Sequence, residues 1–279
     1  MKIYIDKIKR RLLLWWLSKM KNPAANKIAN AIYASIKKDL NKQEQQWVEC
    51  IENLRSELQE NQKQVSITDY GAGQSDSTYS DEEMYEGKVH TTTVAEICRT
   101  SSKRDIWALI LFKLVREFQP NICLELGTSL GFSAAYQAAA QRINNHGQVI
   151  TLEGAQALVA LSQQNFTKLK LDNISVVGGK FQDTLSAAID QANQPIDYAF
   201  IDGHHDKEAT LRYFEILLPK LADKALVIFD DINWSEGMRI AWHKIVTHEQ
   251  IKLSIDLNAI GICMLDSELK GKLNLRIPF

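Results

Sequence analysis

Between residues 121 and 265 short apolar runs alternate with longer helical stretches, and most of the runs end in, or are followed at once by, a carboxylate or a glycine. Runs at 121–126, 148–153, 174–177, 196–202, 225–230, 251–257 and 259–265 have the length of buried strands. Helical patterns at 131–143, 155–169, 182–191, 206–220 and 235–248 separate them, and a further helix from Lys103 to Phe118 precedes them, stopped by Pro120. Such alternation signals βα units around a parallel sheet. The last two strands have little more than Asn258 between them, so they must pair as an antiparallel hairpin. The expected fold class is α/β: a doubly wound, seven-stranded, mostly parallel sheet ending in an antiparallel hairpin.

In an open sheet of this kind ligands bind at the carboxyl ends of the strands. The first strand ends in Glu125-Leu126-Gly127-Thr128-Ser129-Leu130-Gly131, which leads into a small-residue helix. A strand, a tight turn and a helix N-terminus make a nucleotide-binding corner. Gly127 permits a left-handed turn or a close ligand approach, and Gly131 lets the helix pack near its strand. The spacing is E-x-G-x-x-x-G, not the G-x-G-x-x-G of dinucleotide enzymes. An acid before the turn repels a pyrophosphate and suits a cationic ligand. The second strand ends in Glu153-Gly154, where a carboxylate can accept both hydroxyls of a ribose. The fourth ends in Asp202-Gly203-His204-His205 and the fifth in Asp230-Asp231. Three carboxylates at one sheet edge repel each other unless a cation or proton neutralises them.

These residues resemble motif I and the strand ends of the class I S-adenosylmethionine (SAM)-dependent methyltransferases, of the bacterial small-molecule O-methyltransferase type with Asp-Gly-x-His. The resemblance covers residues 103–279 and implies SAM as cofactor. It implies that Glu125, Gly127, Thr128, Ser129, Gly131, Glu153, Gly154 and Asp202 surround SAM. After the third strand, Phe181-Gln182-Asp183 follows Gly178-Gly179-Lys180 and looks like the family's adenine loop. Phe181 and Gln182 would then border the adenine; Asp183 would accept its amino group or cap the next helix. Catechol O-methyltransferase-like members place metal-binding carboxylates where Asp202 and Asp230 stand, with Asn where this chain has Asp231. Mg²⁺ held by Asp202, Asp230 and Asp231 is therefore one expectation, left open because related Asp-Gly-x-His members have no proven metal. Methylating an oxygen requires removing its proton, and histidine suits that task. His205 is the expected base, with Asp202 orienting it or binding metal and Asp230 positioning the acceptor. His204 is the competing base. Trp234 is read as an acceptor-pocket wall or a core residue, Trp242 as core, and Ser235 as the N-cap of the last helix.

The rest of the chain divides at composition changes. Residues 1–64 read as a helical extension, in which Trp47, Ile51, Leu54 and Leu58 form one face that must be buried on the domain or in a homodimer. Residues 65–102 read as a linker or lid with one short helix over Val94 to Thr100. The Asp69-to-Gly73 stretch also occurs before the domain in bacterial methyltransferases near the macrocin and cephalosporin-tailoring enzymes. Tyr70, Tyr79, Tyr85 and His90 are the residues there placed to face a site. Residues 1–22 carry seven cations against Asp6 around Leu12-Leu13-Leu14-Trp15-Trp16-Leu17. That run is too short to span a bilayer. It fits either peripheral contact with an anionic membrane or a helix docked on the domain.

A net charge of −1 and the absence of a basic, aromatic-rich patch beyond the first helix argue against nucleic acid. Four separated cysteines suggest neither a disulfide framework nor a zinc site and fit a reducing, cytoplasmic setting, with Cys123 and Cys263 as core residues. The leading expectation is a SAM-dependent methyltransferase acting on an oxygen of a small molecule. The alternatives are a non-catalytic binding or assembly module of the same fold and a nicotinamide-dependent oxidoreductase.

Overall fold

The strands are apolar on both faces because both faces are covered. The computed structural model describes residues 2–71, 81–103 and 105–279. Its main sheet contains β3 (Ile122–Leu126), β4 (Gln148–Glu153), β5 (Ile174–Gly178), β6 (Ile196–Ile201), β7 (Leu221–Phe229), β8 (Ile251–Asp256), β9 (Gly261–Asp266) and β10 (Leu273–Arg276). Alternate residues point to opposite sides. Leu226 and Ile228 of β7 enter one core, while Ala225, Val227 and Phe229 enter the other. The strand order is β10-β8-β9-β7-β6-β3-β4-β5. Only β9 runs against its neighbours, pairing antiparallel with β7 and β8. The seven expected strands are all present. An eighth, β10, adds in parallel to the β8 edge.

The helices α9 (Phe181–Ala192), α10 (Lys207–Leu217) and α11 (Glu236–Thr247) cover one face. Ser235 caps α11 by accepting from Met238 N at 3.1 Å. Trp242 of α11 packs on Phe229 in that core. The other face carries α6 (Asp105–Phe118), α7 (Phe132–Asn144) and α8 (Gln156–Leu169). Over it lie α1 (Lys2–Ser18), α2 (Pro23–Lys37) and α3 (Lys42–Gln59). Asn22 caps α2 ahead of Pro23, and Asn41 with Glu44 forms a capping box on α3. Ile51, Leu54 and Leu58 of α3 are buried within this chain's own core, with Trp47 packed beside them. That burial removes the observation that motivated a homodimer through this stripe.

The segment before the domain is not a bare connection. β1 (Gln64–Asp69) and β2 (Lys88–Thr93) form an antiparallel hairpin, and α4 (Asp81–Glu86) lies between them. The short helix α5 (Val94–Thr100) follows, with Thr93 as its cap. Ala72, Gly73 and Tyr79 lie outside the described residues. Cys98, Cys123 and Cys263 are buried and Cys50 is exposed; all are free thiols. Among the described residues, no helix is long and apolar enough to cross a membrane.

Candidate active site

A cleft of ≈ 520 Å³ lies at the carboxyl ends of β3, β4, β6 and β7, walled on its open side by β1, β2 and the end of α5. Its floor is a row of strand-to-helix turns. Gly127 has φ 102°, and a Cβ there would meet the Asp202 carbonyl oxygen at 1.8 Å, so only glycine lets β3 and β6 end side by side. Gly131 starts α7 at φ 87° against the Phe166 ring, which is a packing role. Ser129, His204, His205 and Asp231 also hold positive φ, at 48°, 64°, 50° and 50°. Such conformations are uncommon for non-glycine residues. Four of them around one cleft mark a site whose surroundings fix its geometry.

On the β4 side, Glu153 accepts from Ser129 N at 2.8 Å and from Ala155 N at 2.9 Å. Burial raises its pKa, opposed by those two backbone donors. A carboxylate has about four lone-pair positions, so these bonds leave acceptor capacity for a ligand. Ser129 Oγ is buried and has no hydrogen-bond partner among the described residues. Phe181 and Gly154 complete this side, with Tyr70 of the hairpin packed over Gly154.

On the β6–β7 side the Lys103 ammonium, from the turn before α6, contacts Asp230 and lies 3.4 Å from Asp202. Desolvation works against the charged lysine, but Asp202 and Asp230 outweigh it and raise its pKa. Lys103 is therefore a fixed cation and not a proton acceptor at neutral pH. Asp230 is 3% exposed. Burial, reinforced by Asp202, pushes its pKa up to about 7, despite Lys103. Burial and then the Asp230 charge raise Asp231. His205 lies between two of these acids, with Nε2 3.8 Å from Asp202 and Nδ1 3.9 Å from Asp231. Its ring is 5.7 Å from Trp234, which lines the cleft.

His204 is a different kind of residue. It is buried, its Nδ1 is 2.9 Å from the Tyr213 hydroxyl, and its ring packs between Phe181 and Tyr213. Burial pushes its pKa down to about 4, so it is neutral at pH 7. Its Nε2 has no partner among the described residues.

The structure brings Gly127, Ser129, Glu153, Gly154, Phe181, Asp202, His205, Asp230 and Asp231 to one cleft. Glu125, Thr128, Gly131, Gln182 and Asp183 are not among the cleft-lining residues. Glu125 is 0% exposed and bonds Thr151 and Gln137. Burial pushes its pKa up to about 8, so it is a neutral acid tying β3, β4 and α7 together, rather than a charge facing a cationic ligand. Thr128 donates to or accepts from Thr151 in the same network. Asp183 is not the cap of α9, because Lys180 holds that position; it instead lies 3.5 Å from the Tyr85 hydroxyl of α4. Lys180 bridges hairpin and domain, its ammonium 3.5 Å from the centre of the Tyr85 ring and 5.5 Å from that of Tyr70.

The expected Mg²⁺ does not fit these residues. The Lys103 ammonium already lies against Asp202 and Asp230, so a divalent ion bound by those two acids would meet a buried like charge. Among the described residues, no group of three or more His, Cys, Asp or Glu side chains is arranged to hold a metal ion. Lys103 is the cleft-lining residue that sequence reasoning missed. The excess of acid at the strand ends was the signal, since it demanded a cation and the chain supplies its own.

Residues 124–232 match a family model described as a methyltransferase domain. The fold is an α/β, Rossmann-like methyltransferase fold. Similar solved structures include the SAH-bound Podospora anserina methyltransferase PaMTH1, with a TM-score of 0.52 and 16% identity over 60% of this chain and 80% of that one. An O-methyltransferase from Bacillus cereus in complex with SAH gives 0.51 and 21%, over 60% and 84%. The O-methyltransferase TomG from Streptomyces achromogenes, involved in tomaymycin synthesis and solved with SAM, gives 0.52 and 17%, over 60% and 82%. At these identities the structural likeness speaks to fold. The comparison with curated proteins finds no match.

Proposed function

We propose that the cleft binds SAM and that the protein transfers a methyl group to an oxygen of a small-molecule acceptor. The observation that carries this reading is the placement of Glu153 and the Lys103–Asp202–Asp230–His205 cluster on opposite sides of one cleft. The cofactor fits the donor set: Glu153 has acceptor positions to spare, Ser129 Oγ has no partner among the described residues, and Phe181 offers an aromatic wall. A cleft of ≈ 520 Å³ is within the usual range for cofactor pockets. SAM, when bound, supplies an electrophilic sulfonium methyl group.

The protein's own work is to orient the acceptor and manage one proton. His205 takes the acceptor's hydroxyl proton, and Asp202 and Asp231 on its two sides stabilise the imidazolium that results. Lys103, held charged by Asp230 and Asp202, stabilises the oxyanion left behind. Trp234 beside His205 forms an apolar wall that suits an aromatic or otherwise flat acceptor. The hairpin β1–β2 and Tyr70 exclude water from the cofactor side.

The test is calorimetric titration with SAM and separately with NAD⁺, each with and without Mg²⁺. The expected result is SAM binding that Mg²⁺ leaves unchanged and no binding of NAD⁺. NAD⁺ binding without SAM binding would overturn the reading in favour of an oxidoreductase. No binding of either would leave the fold as an assembly module. Formation of SAH with a panel of phenols and hydroxy acids then tests the acceptor class.

A further inference from the structure

The first helix uses only one of its faces to hold on to the protein. Leu14 and Leu17 are 2% and 0% exposed in the core shared with α2, and Asn26 of α2 donates to the Leu17 and Met20 carbonyls at 3.1 Å each. The Arg10 guanidinium stacks 4.8 Å from the ring of Phe279, which in turn packs on Trp107 of α6. The helix is thus fixed to the domain through one side. Its other side carries Tyr4, Ile8, Leu12 and Trp15 in one row, with Ile5 and Trp16 beside them. All six are exposed, Tyr4 at 70%, Leu12 at 60% and Trp15 at 63%. At helical spacing the six fall within roughly a third of the circumference. Lys7 and Arg11 border that stripe on one side and Lys9 on the other, all three exposed.

We infer that this face docks the protein on an anionic lipid bilayer, with α1 lying in the plane of the surface. An apolar stripe rich in aromatic residues and edged by cations matches what the interface of such a membrane accepts. Charge complementarity selects the occupant. Residues 1–22 hold seven cations and one acid. A second copy of the chain meeting this face across a two-fold axis would set one cation-edged face against another, with no acid on either stripe to offset them. A bilayer bearing anionic headgroups turns the same charges into attraction, worth roughly fivefold in partitioning for each cation near the surface. The location gives the docking a use. Phe279 follows β10, which runs parallel to β8, and Ile277 N bonds the Asp256 carbonyl at the carboxyl end of β8. The anchor of α1 is therefore at the same sheet edge as the cleft, which suits a methyl acceptor that itself resides at a lipid surface.

Co-sedimentation of the full chain with vesicles tests this. Binding is expected to vesicles of phosphatidylcholine mixed with phosphatidylglycerol at about 3:1 and not to pure phosphatidylcholine, with a salt-dependent affinity. The double variants Leu12→Ser/Trp15→Ser and Lys7→Glu/Arg11→Glu are each expected to weaken binding at least about tenfold. Circular dichroism and SAM titration should be unchanged in both, because all four side chains are exposed. No binding to anionic vesicles overturns the inference, as does binding that neither variant weakens. A concentration-dependent dimer in sedimentation velocity that Leu12→Ser/Trp15→Ser abolishes would assign the face to a second copy instead.

Discussion

Two clusters of buried charge sit at the two ends of α6, and they are built in opposite proportions. At its C-terminal half, Glu44 of α3 accepts from Lys113 at 2.8 Å and from Arg116 at 3.1 Å, and its capping-box bond to Asn41 N uses a further lone pair. Burial opposes ionisation of Glu44, but the bonds from Lys113, Asn41 and Arg116 together win and its pKa is lowered. One acid serves two cations, and the cluster ties the N-terminal helices to the domain. At the other end of α6, Lys103 serves three acids. There the acids are under-compensated, and the pKa of Asp230 rises to about 7. A satisfied ion cluster is structural glue, whereas an imbalanced one lining a cleft holds proton affinity in reserve for chemistry. The two clusters are connected: Arg55 of α3, stacked 4.1 Å from the Phe132 ring, donates to the Lys103 carbonyl at 2.9 Å. The helical extension thereby holds the turn that carries Lys103.

The sharpest way to break this comparison is to remove the single cation of the cleft cluster. Lys103→Met should lower methyl transfer by about 10²–10³-fold, the usual cost of losing one donor to a developing oxyanion. Global stability should change little, because fewer acids then ionise. The measurement is SAH release under saturating SAM, beside a urea denaturation curve. Rates that stay within threefold of the parent would remove Lys103 from the mechanism. Removing the single anion of the other cluster should do the reverse. Glu44→Gln leaves two cations without their acid and should cost about 3 kcal/mol of stability, with the rate per folded molecule and SAM affinity unchanged. A large fall in SAM affinity would mean that the two clusters are not separable.

The cofactor side offers a smaller effect. Glu153→Ala removes an acceptor for two ligand hydroxyls and should weaken SAM binding by about one to two orders of magnitude. The variant also releases Ser129 N and Ala155 N, so its thermal midpoint should fall by a few degrees. Calorimetry on Glu153→Gln separates the two effects, since the amide oxygen can still accept. If Gln and Ala bind SAM equally well, Glu153 supports the turn and does not touch the ligand.

How much of this was legible before the structure depends on where each residue finds its partners. The strands from β3 to β9 are buried on both faces, so their apolar runs and terminal acids stood out within a few residues of their observed limits. The hairpin β1–β2 and the strand β10 lie at the margins and are half-exposed. Their patterns, Gln64-Val65-Ser66-Ile67 and Leu273-Asn274-Leu275-Arg276, alternate correctly but look like polar connections. Glu125 was legible as a strand-end acid but not as a buried neutral one, because Thr151 and Gln137 reach it from other elements. Lys103 was invisible for the same reason: the acids that define its role are Asp202, some hundred residues away, and Asp230, further still.

The smallest expected effect is also the most specific to the contrast between the clusters, because it concerns the sign of a pH dependence. The folded-state pKa of Glu44 lies below its unfolded value, so its stabilising contribution is present at neutral pH and is lost as pH falls through the folded pKa. Asp230 does the opposite. Its folded pKa of about 7 lies above the unfolded value of 3.8, so the folded state binds more protons between those limits. Raising the pH through that window therefore removes stability. Asp230→Asn cancels this term. Relative to the parent it should gain stability as the pH rises from 4 to 8, while Glu44→Gln should lose ground over the same interval. Urea denaturation of the three proteins at the two pH values gives both slopes in one experiment. Parallel slopes would mean that Lys103 fully compensates Asp230, and the cleft cluster would then be glue like its counterpart at the other end of the helix.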